Sequence, residues 1–112
     1  MEARLTSEFW VKAYIRRCSS EGVTAMLVRR GQRTSGAVLI RVNHLDGHSA
    51  LLMRGTLADG RSGWLKGGGT SKVVDAEADR YIERQIKFDP DLWVIEVEDR
   101  EGRHFLDEPV EV

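Results

Sequence analysis

The sequence predicts an α+β fold, in which a twisted antiparallel sheet of five or six strands carries two amphipathic helices on one face. Apolar residues recur at helical spacing in two segments, and they alternate with polar residues in several others. Asp-Gly pairs at 46–47 and 59–60 separate neighbouring strand candidates. The expected order is therefore a helix, three or four strands, a second helix and two final strands.

The first helix is expected to begin at Ser7, whose hydroxyl can cap it, and to run to about Glu21. Gly22 follows, where a left-handed C-terminal residue is favoured. Phe9 lies off the main apolar stripe of this helix. That stripe consists of Trp10, Val11, Tyr14, Ile15 and Cys18.

Four segments after the first helix have the two-residue period of strands. They are Val23–Arg30, Ala37–Asn43, His48–Arg54 and, with the weakest pattern, Ser62–Lys66. We expect an antiparallel meander, because the Asp-Gly pairs between these segments favour tight turns. The glycine-rich stretch 60–69 is interpreted as a loop within one domain.

The second helix fits Asp75–Phe88, because the acidic residues of its first turn complement the helix dipole. Asp89-Pro90 ends it, since the residue before a proline resists helical geometry. Leu92–Asp99 then alternates apolar and acidic residues. Glu101-Gly102 is expected to turn the chain back into a final strand, Arg103–Leu106.

Length and composition indicate one folded domain over residues 1–112, with 41% hydrophobic and 31% charged residues. No apolar run approaches the roughly 20 residues that a membrane helix needs, and the start of the sequence lacks the apolar core of an export signal. Cys18 is the single cysteine, which suits a reducing compartment. We expect a cytoplasmic protein that contacts no membrane.

The formal net charge of −1 conceals a gradient along the chain. Residues 1–41 contain eight Lys/Arg and three Asp/Glu, whereas residues 88–112 contain two and nine. This asymmetry favours either a charged partner or pairing of the two ends across the sheet. A nucleic acid is not expected, because acidic residues at the start of the second helix would repel phosphates. The candidate anion-binding residues are Arg16, Arg17, Arg29 and Arg30.

The sequence contains no complete metal or nucleotide motif, and we expect no cofactor. His44 and His48 could chelate a metal only if a three-residue loop pairs them, and two histidines fall short of a zinc ligand set. Gly69 stands where a phosphate-binding loop needs lysine. Gly60-Arg61-Ser62-Gly63 is one residue short of a nucleophile elbow.

Two pairs of carboxylates are the best indication of an enzyme. Asp89 and Asp91 flank a proline, and Glu96 and Glu98 share one face of a strand, so either pair could hold a cation or act as acid and base. A turn and a solvated strand face also account for them. Cys18 is expected to be a core thiol rather than a nucleophile.

Three stretches resemble a small bacterial family: SEFWVKAYIRR near the start, GGGTSKVVDAEADRYIERQIKFDPDLW in the middle, and FDPDLWVIEVEDREGRHFL near the end. On these stretches the chain, from Thr6 to about Asp107, is similar to domain-of-unknown-function family 1491. The resemblance implies a single-domain cytoplasmic protein of about this length. It implies no activity, cofactor or catalytic residue.

We expect a non-catalytic binding or protein-interaction module, whose partner is another protein or a second copy of the chain. Its predicted surface combines Phe9 with the acidic residues Asp91, Glu96 and Glu98. The alternative is a small acid/base enzyme or a protein that binds anions or nucleic acid. Convergence of acids or arginines in a pocket would favour the alternative, whereas a long uncovered edge strand would favour dimerisation by sheet extension.

Overall fold

The computed structural model describes residues 5–111 as two helices and a six-stranded mixed sheet. This confirms the α+β class and the order of the main elements. The helices are α1, Ser7–Ser20, and α2, Asp75–Phe88. The strands are β1 Thr24–Arg29, β2 Val38–Asn43, β3 His48–Thr56, β4 Ser62–Lys66, β5 Val73–Val74 and β6 Trp93–Glu98, and a 3₁₀ turn, Gly67–Gly69, precedes β5.

The sheet has the strand order β1-β6-β2-β3-β4, and the short β5 pairs with the start of β3. The expectation of a purely antiparallel sheet is wrong at one pair, because β6 runs parallel to β2. Helix α2 returns the chain across the sheet, so β6 enters between β1 and β2. The predicted meander therefore holds for β2, β3 and β4, whereas β1 pairs with β6.

The two helices cover opposite faces of the sheet, so the expectation of both on one face is wrong. Val11, Tyr14 and Cys18 of α1 pack in one buried cluster with Ile40. Ala78 of α2 belongs to a second cluster that contains the next strand position, Leu39. Successive strand residues point to opposite faces, and every residue from 38 to 42 is buried. A strand buried on both faces typically has a continuous apolar sequence, and residues 37–40 form such a run.

Most element boundaries agree with the predictions, and the cap of α1 is an exception. Thr6, not Ser7, caps this helix, because its Oγ1 accepts a hydrogen bond from the backbone N of Phe9 over 3.2 Å. The Ser7 hydroxyl instead donates to the backbone O of Gly36 over 2.6 Å. Gly22 has φ 75°, as predicted for the end of α1.

The predicted final strand, Arg103–Leu106, is wrong, because the chain leaves the sheet after β6. The carboxylate of Asp99 accepts a hydrogen bond from the backbone N of Arg103 over 2.7 Å, and Phe105 adopts φ 56°. We call residues 103–111 the C-terminal strap. It crosses the α1 face of the sheet, where it packs with Phe105, Leu106 and Val110 against the core.

The strap also covers one edge of the sheet. Trp64 of β4 donates its backbone N–H to the O of Pro109 over 2.9 Å, and the N–H of Glu111 donates to Trp64 O over 2.8 Å. At the opposite edge, β1 pairs only with β6. Among residues 5–111, therefore, β1 presents an outer edge without a neighbouring strand. Neither described helix is long and apolar enough to cross a bilayer.

Candidate functional site at the exposed edge strand

Strand β1 presents three consecutive apolar side chains at the uncovered edge. Met26, Leu27 and Val28 are 42%, 44% and 57% exposed. An edge strand also offers unpaired backbone N–H and C=O groups, which form a template for another strand. Exposed apolar residues on such an edge are typical of a surface that contacts another polypeptide. The sequence contained this apolar run, but a two-residue period does not distinguish an edge strand from a central one.

A bulge limits the regular part of this edge. Residues Thr24 to Leu27 pair in order with Glu98 to Ile95, and the register then shifts between Leu27 and Arg29. Val28 is the extra residue, and a bulge of this kind bends the strand and ends regular pairing. An added strand would therefore find four regular positions along β1.

A groove of about 270 Å³ lies beside β1 on the α2 face of the sheet. Its lining includes Val28 of β1, Asp79 and Glu83 of α2, and Val94 and Glu96 of β6. The groove thus combines apolar and acidic groups next to the exposed strand. Arg41 also lines it.

The guanidinium of Arg41 interacts with several polar and acidic side chains. Its guanidinium donates to Asp79 Oδ1 over 2.5 Å and to Ser49 Oγ over 3.0 Å. Ser49 in turn donates to Asp75 Oδ1 over 2.9 Å, and Glu96 Oε1 lies 3.9 Å from Arg41 Nε. Burial opposes the charge, but the hydrogen bond to Asp79 and the nearby carboxylates outweigh burial and raise the pKa of Arg41. This cluster joins β2, β3, β6 and α2.

The predicted interaction surface is divided by the fold. Glu96 and Glu98 lie together on β6, on the face that α2 covers, since their neighbours Ile95 and Val97 belong to the α1 cluster. Phe9 is 59% exposed on α1, over the opposite face. The four residues therefore do not form one contiguous patch.

Asp89 and Asp91 form a turn rather than a pair of catalytic carboxylates. The carboxylate of Asp89 accepts a hydrogen bond from the backbone N of Asp91 over 3.0 Å. The backbone O of Asp91 accepts from the N–H of Gln32 over 2.9 Å. The turn thereby anchors the loop before β2.

The candidate anion-binding arginines do not converge, and three of them are engaged by groups of the chain itself. Arg16 is exposed on α1. The engaged residues are Arg17, which contacts Phe105 O and Asp107; Arg29, which contacts Leu92 O; and Arg30, which pairs with Glu8. Binding of an anion at these residues would have to displace internal partners.

The histidine hairpin has the three-residue loop that would favour chelation. The backbone N of His44 donates to the O of His48 over 3.0 Å. Asp46 Oδ1 lies 3.5 Å from His48 Nδ1. Even so, the part of the chain that the structure describes contains no group of three His, Cys, Asp or Glu residues arranged to hold a metal.

The thiol of Cys18 is completely buried in the α1 cluster, as predicted for a core cysteine. Burial raises its pKa, although a hydrogen bond with Tyr14 and the charge of Arg17 act in the opposite direction. A buried, protonated thiol is a poor nucleophile. Cys18 therefore contributes to packing.

A cleft of about 850 Å³ lies beside the first turn of α1. Its main cation is Arg54, whose guanidinium lies 5.0 Å from the Trp10 ring and 5.2 Å from the Trp64 ring. Glu108 pairs with this arginine over 3.0 Å. Sequence reasoning missed this group, because a two-residue Asp59-Gly60 turn would place Arg54 opposite Leu65, whereas the three-residue loop 58–60 places it opposite Trp64. Because Glu108 neutralises it, Arg54 does not provide a free anion site.

Within residues 5–111, fold and site together define a small α+β protein with a mixed sheet between two helices, an uncovered edge at β1, and several carboxylates engaged in internal pairs and turns. The chain belongs to the family described as "Protein of unknown function (DUF1491)", whose model matches residues 5–107. The family resemblance seen in the sequence is thus confirmed. No curated protein matches the chain.

Three solved structures are similar to this chain over nearly its whole length. A crystal structure of a DUF1491 family protein from Caulobacter crescentus CB15 has 40% identity and a TM-score of 0.85, and the match covers 96% of this chain and 100% of that one. An NMR structure of a DUF1491 family protein from the same organism has 39% identity and a TM-score of 0.83, with coverages of 99% and 100%. The solution structure of protein Atu0922 from A. tumefaciens has 26% identity and a TM-score of 0.73, with coverages of 98% and 100%.

Proposed function

We propose that this protein is a non-catalytic protein-interaction module, and that the outer edge of β1 accepts an extended segment of a polypeptide. The observation that carries the proposal is the exposed apolar run Met26 to Val28 on an edge without a described neighbour. In strand addition, main-chain hydrogen bonds supply affinity and alternate side chains supply specificity.

The opposite edge supports this proposal by comparison. The chain covers β4 with its own strap, through hydrogen bonds of Trp64 with Pro109 and Glu111. Backbone groups at the β4 edge are thus hydrogen-bonded within the chain, whereas β1 offers backbone groups of the same kind to an external strand.

The surroundings of β1 also suit a bound segment. Side chains of an added strand would alternate between the two faces of the sheet. Those on the α2 face would lie beside the groove next to Val28, and those on the α1 face would lie beside Leu27. Both positions offer apolar surface, and burying such surface stabilises a complex by roughly 25 cal/mol per Å² before the costs of association.

A screen of displayed eight-residue peptides, followed by amide chemical-shift mapping on the ¹⁵N-labelled protein, tests the proposal. We expect binders to shift the amides of Thr24 to Leu27 and of β6. Leu27→Lys should abolish their binding, because it places a charge in the apolar contact. Phe88→Lys is the matched control, since Phe88 is 83% exposed at the end of α2.

Two results would contradict the proposal. One is a set of binders whose shifts map to the cleft at Trp10 and Arg54 and that bind Leu27→Lys as well as the original protein. The other is the absence of any binder at β1 at millimolar peptide concentration.

A further inference from the structure

We infer that the segment added to β1 is β1 of a second copy of this chain, in an antiparallel dimer whose two-fold axis passes through Met26. The inference rests on the proposed function, because it uses the same edge, and it names the partner. Three features of β1 support it: the charges at its ends, the faces of its side chains, and the number of free edges.

The two ends of β1 carry opposite charges. Glu21 lies just before the strand and Glu98 pairs with its first residue, Thr24. Arg29 ends the strand and Arg30 follows it; Arg30 pairs with Glu8, but two further basic side chains contact that carboxylate, so this end keeps a net positive charge. An antiparallel copy brings each acidic end against a basic end, whereas a parallel copy would bring like charges together. Opposite charges on neighbouring strands are favourable, and like charges are unfavourable.

The faces of the side chains fix where the axis can lie. Ala25 packs against the α1 cluster, and Leu27 shares its face by alternation, whereas Thr24 and Met26 face the α2 side. Paired residues must share a face, so the axis passes through a residue and not between two. An axis at Met26 pairs this residue with itself and Leu27 with Ala25, and it brings the bulge residue Val28 close to Thr24. Each exposed apolar residue then contacts an uncharged neighbour.

The number of free edges predicts a closed dimer. Within residues 5–111 each copy has one long uncovered edge, that of β1, since the strap occupies the edge of β4 and β5 is only two residues long. Pairing β1 with β1 uses both free edges, so addition stops at two copies. The bulge at Val28 keeps the interface short. Interfaces below about 1,200 Å² are usually weak, and we expect a dissociation constant on the order of 10 µM.

Cysteine cross-linking tests the position of the axis. Met26→Cys places the new thiol against its own symmetry mate, where opposite Cβ atoms are about 4.5–5.5 Å apart and small adjustments allow a disulfide. Thr24→Cys is the control on the same strand and face, because its two copies would lie four positions, or about 13 Å, apart. The native Cys18 is buried and does not compete. We expect the Met26→Cys disulfide dimer to form at least about tenfold faster; equal rates would overturn the proposed axis.

A charge exchange tests the alignment of the ends. With the axis at Met26, the basic end of β1 that carries Arg30 lies against the acidic end that carries Glu21 of the second copy. Glu21→Arg or Arg30→Glu alone should raise the dissociation constant about tenfold, measured by sedimentation equilibrium, and the double exchange should restore it. Arg33→Glu is the control, since Arg33 also pairs with Glu8, at 3.4 Å, but lies beyond the strand. Failure of the double exchange to restore association would contradict this alignment, provided that thermal melting shows both single variants to be folded.

The same measurements separate this inference from the function on which it rests. A chain that stays monomeric up to about 1 mM, well above the expected dissociation constant, overturns the dimer. If peptides nevertheless bind at β1, the interaction module stands with another partner. If the chain stays monomeric and no peptide binds, both proposals fall.

Discussion

The hydroxyl of Tyr14 donates a hydrogen bond to the backbone O of His104 over 2.7 Å, and so joins α1 to the C-terminal strap. The ring of Tyr14 is buried, and burial raises the pKa of its hydroxyl well above the usual range. The hydroxyl therefore remains a donor throughout the pH range in which proteins are normally folded. Arg17, one turn further along α1, donates to the O of Phe105 over 2.9 Å.

Tyr14→Phe should lower the free energy of unfolding by about 1 kcal/mol, because it removes one donor and leaves the His104 carbonyl without it. It should also speed hydrogen exchange at the backbone N of Trp64 and Glu111, since the strap pairs with β4 there. Urea unfolding and amide exchange measure the two effects. Tyr81→Phe is the control, because within residues 5–111 the Tyr81 hydroxyl makes no hydrogen bond to another group. If both variants change strap exchange equally, the Tyr14 bond does not hold the strap.

Arg41→Met should lower the free energy of unfolding by about 2–3 kcal/mol, because it leaves the carboxylates of Asp75, Asp79 and Glu96 without their shared cation. This loss of unfolding free energy is smaller than that for a fully buried ion pair, since the side chain of Asp79 is 63% exposed. Chemical unfolding measures the change. Adding Asp79→Asn should recover part of the loss.

The control for Arg41 is Arg80→Met on the solvent side of α2. Arg80 pairs with Glu77 over 2.5 Å, and both side chains are more than half exposed. An exposed pair of this kind contributes roughly 0–1 kcal/mol. Equal losses in the two variants would show that the Arg41 cluster is no stronger than a surface pair.

Local patterns were sufficient to predict the helices and most strands, but not how the strands pair. The bounds Asp75–Phe88 and Ser62–Lys66 follow from periodicity and turn residues close to each element, and the structure has both. The parallel pairing of β2 with β6 depends on where α2 returns the chain. The two-residue period of a strand is the same in parallel and antiparallel pairing, so the pattern of either strand does not predict which one forms.

The strap and the bare edge show the same limit. Arg103–Leu106 alternates like a strand, yet the Asp99 carboxylate and the left-handed Phe105 direct the chain out of the sheet. Met26 resembles a core residue until β1 is known to be an edge strand. The chemistry of a side chain predicts that it could belong to a site, but which of these residues share a surface depends on the faces that α1 and α2 cover.

Asp99→Asn should make the protein less stable at neutral pH and should reduce the pH dependence of its stability in acid. The carboxylate of Asp99 accepts hydrogen bonds from the side chain of Arg103 over 2.9 and 3.0 Å and from its backbone N over 2.7 Å. These bonds lower the pKa of Asp99 below its usual value. The unfolded state therefore binds more protons near pH 4, so the stabilisation is present above about pH 4 and is lost as the pH falls through the folded-state pKa.

Urea unfolding at pH 7, 5 and 3 measures this effect for the original protein and for Asp99→Asn. The difference between them should be largest at pH 7 and should shrink at pH 3. Glu101→Gln is the control, because Glu101 contacts the same arginine over 3.3 Å but its side chain is 74% exposed. A difference for Asp99→Asn that is constant across the three pH values would contradict the assignment.

Gly31→Ala should be among the most destabilising single-methyl additions in the chain. A Cβ atom at Gly31 would lie 2.2 Å from the backbone O of Asp91 and 2.6 Å from the ring of Trp93, so the backbone before β6 would have to move. Overpacking of this kind costs about 1–3 kcal/mol, occasionally more. The control, Gly69→Ala, meets open space and is strained only by its φ of 71°, which costs roughly 1–2 kcal/mol. If thermal unfolding shows Gly31→Ala to be the milder change, the loop before β2 does not pack against the Asp89–Asp91 turn as closely as the structure shows, and that turn does not fix where β2 enters the sheet.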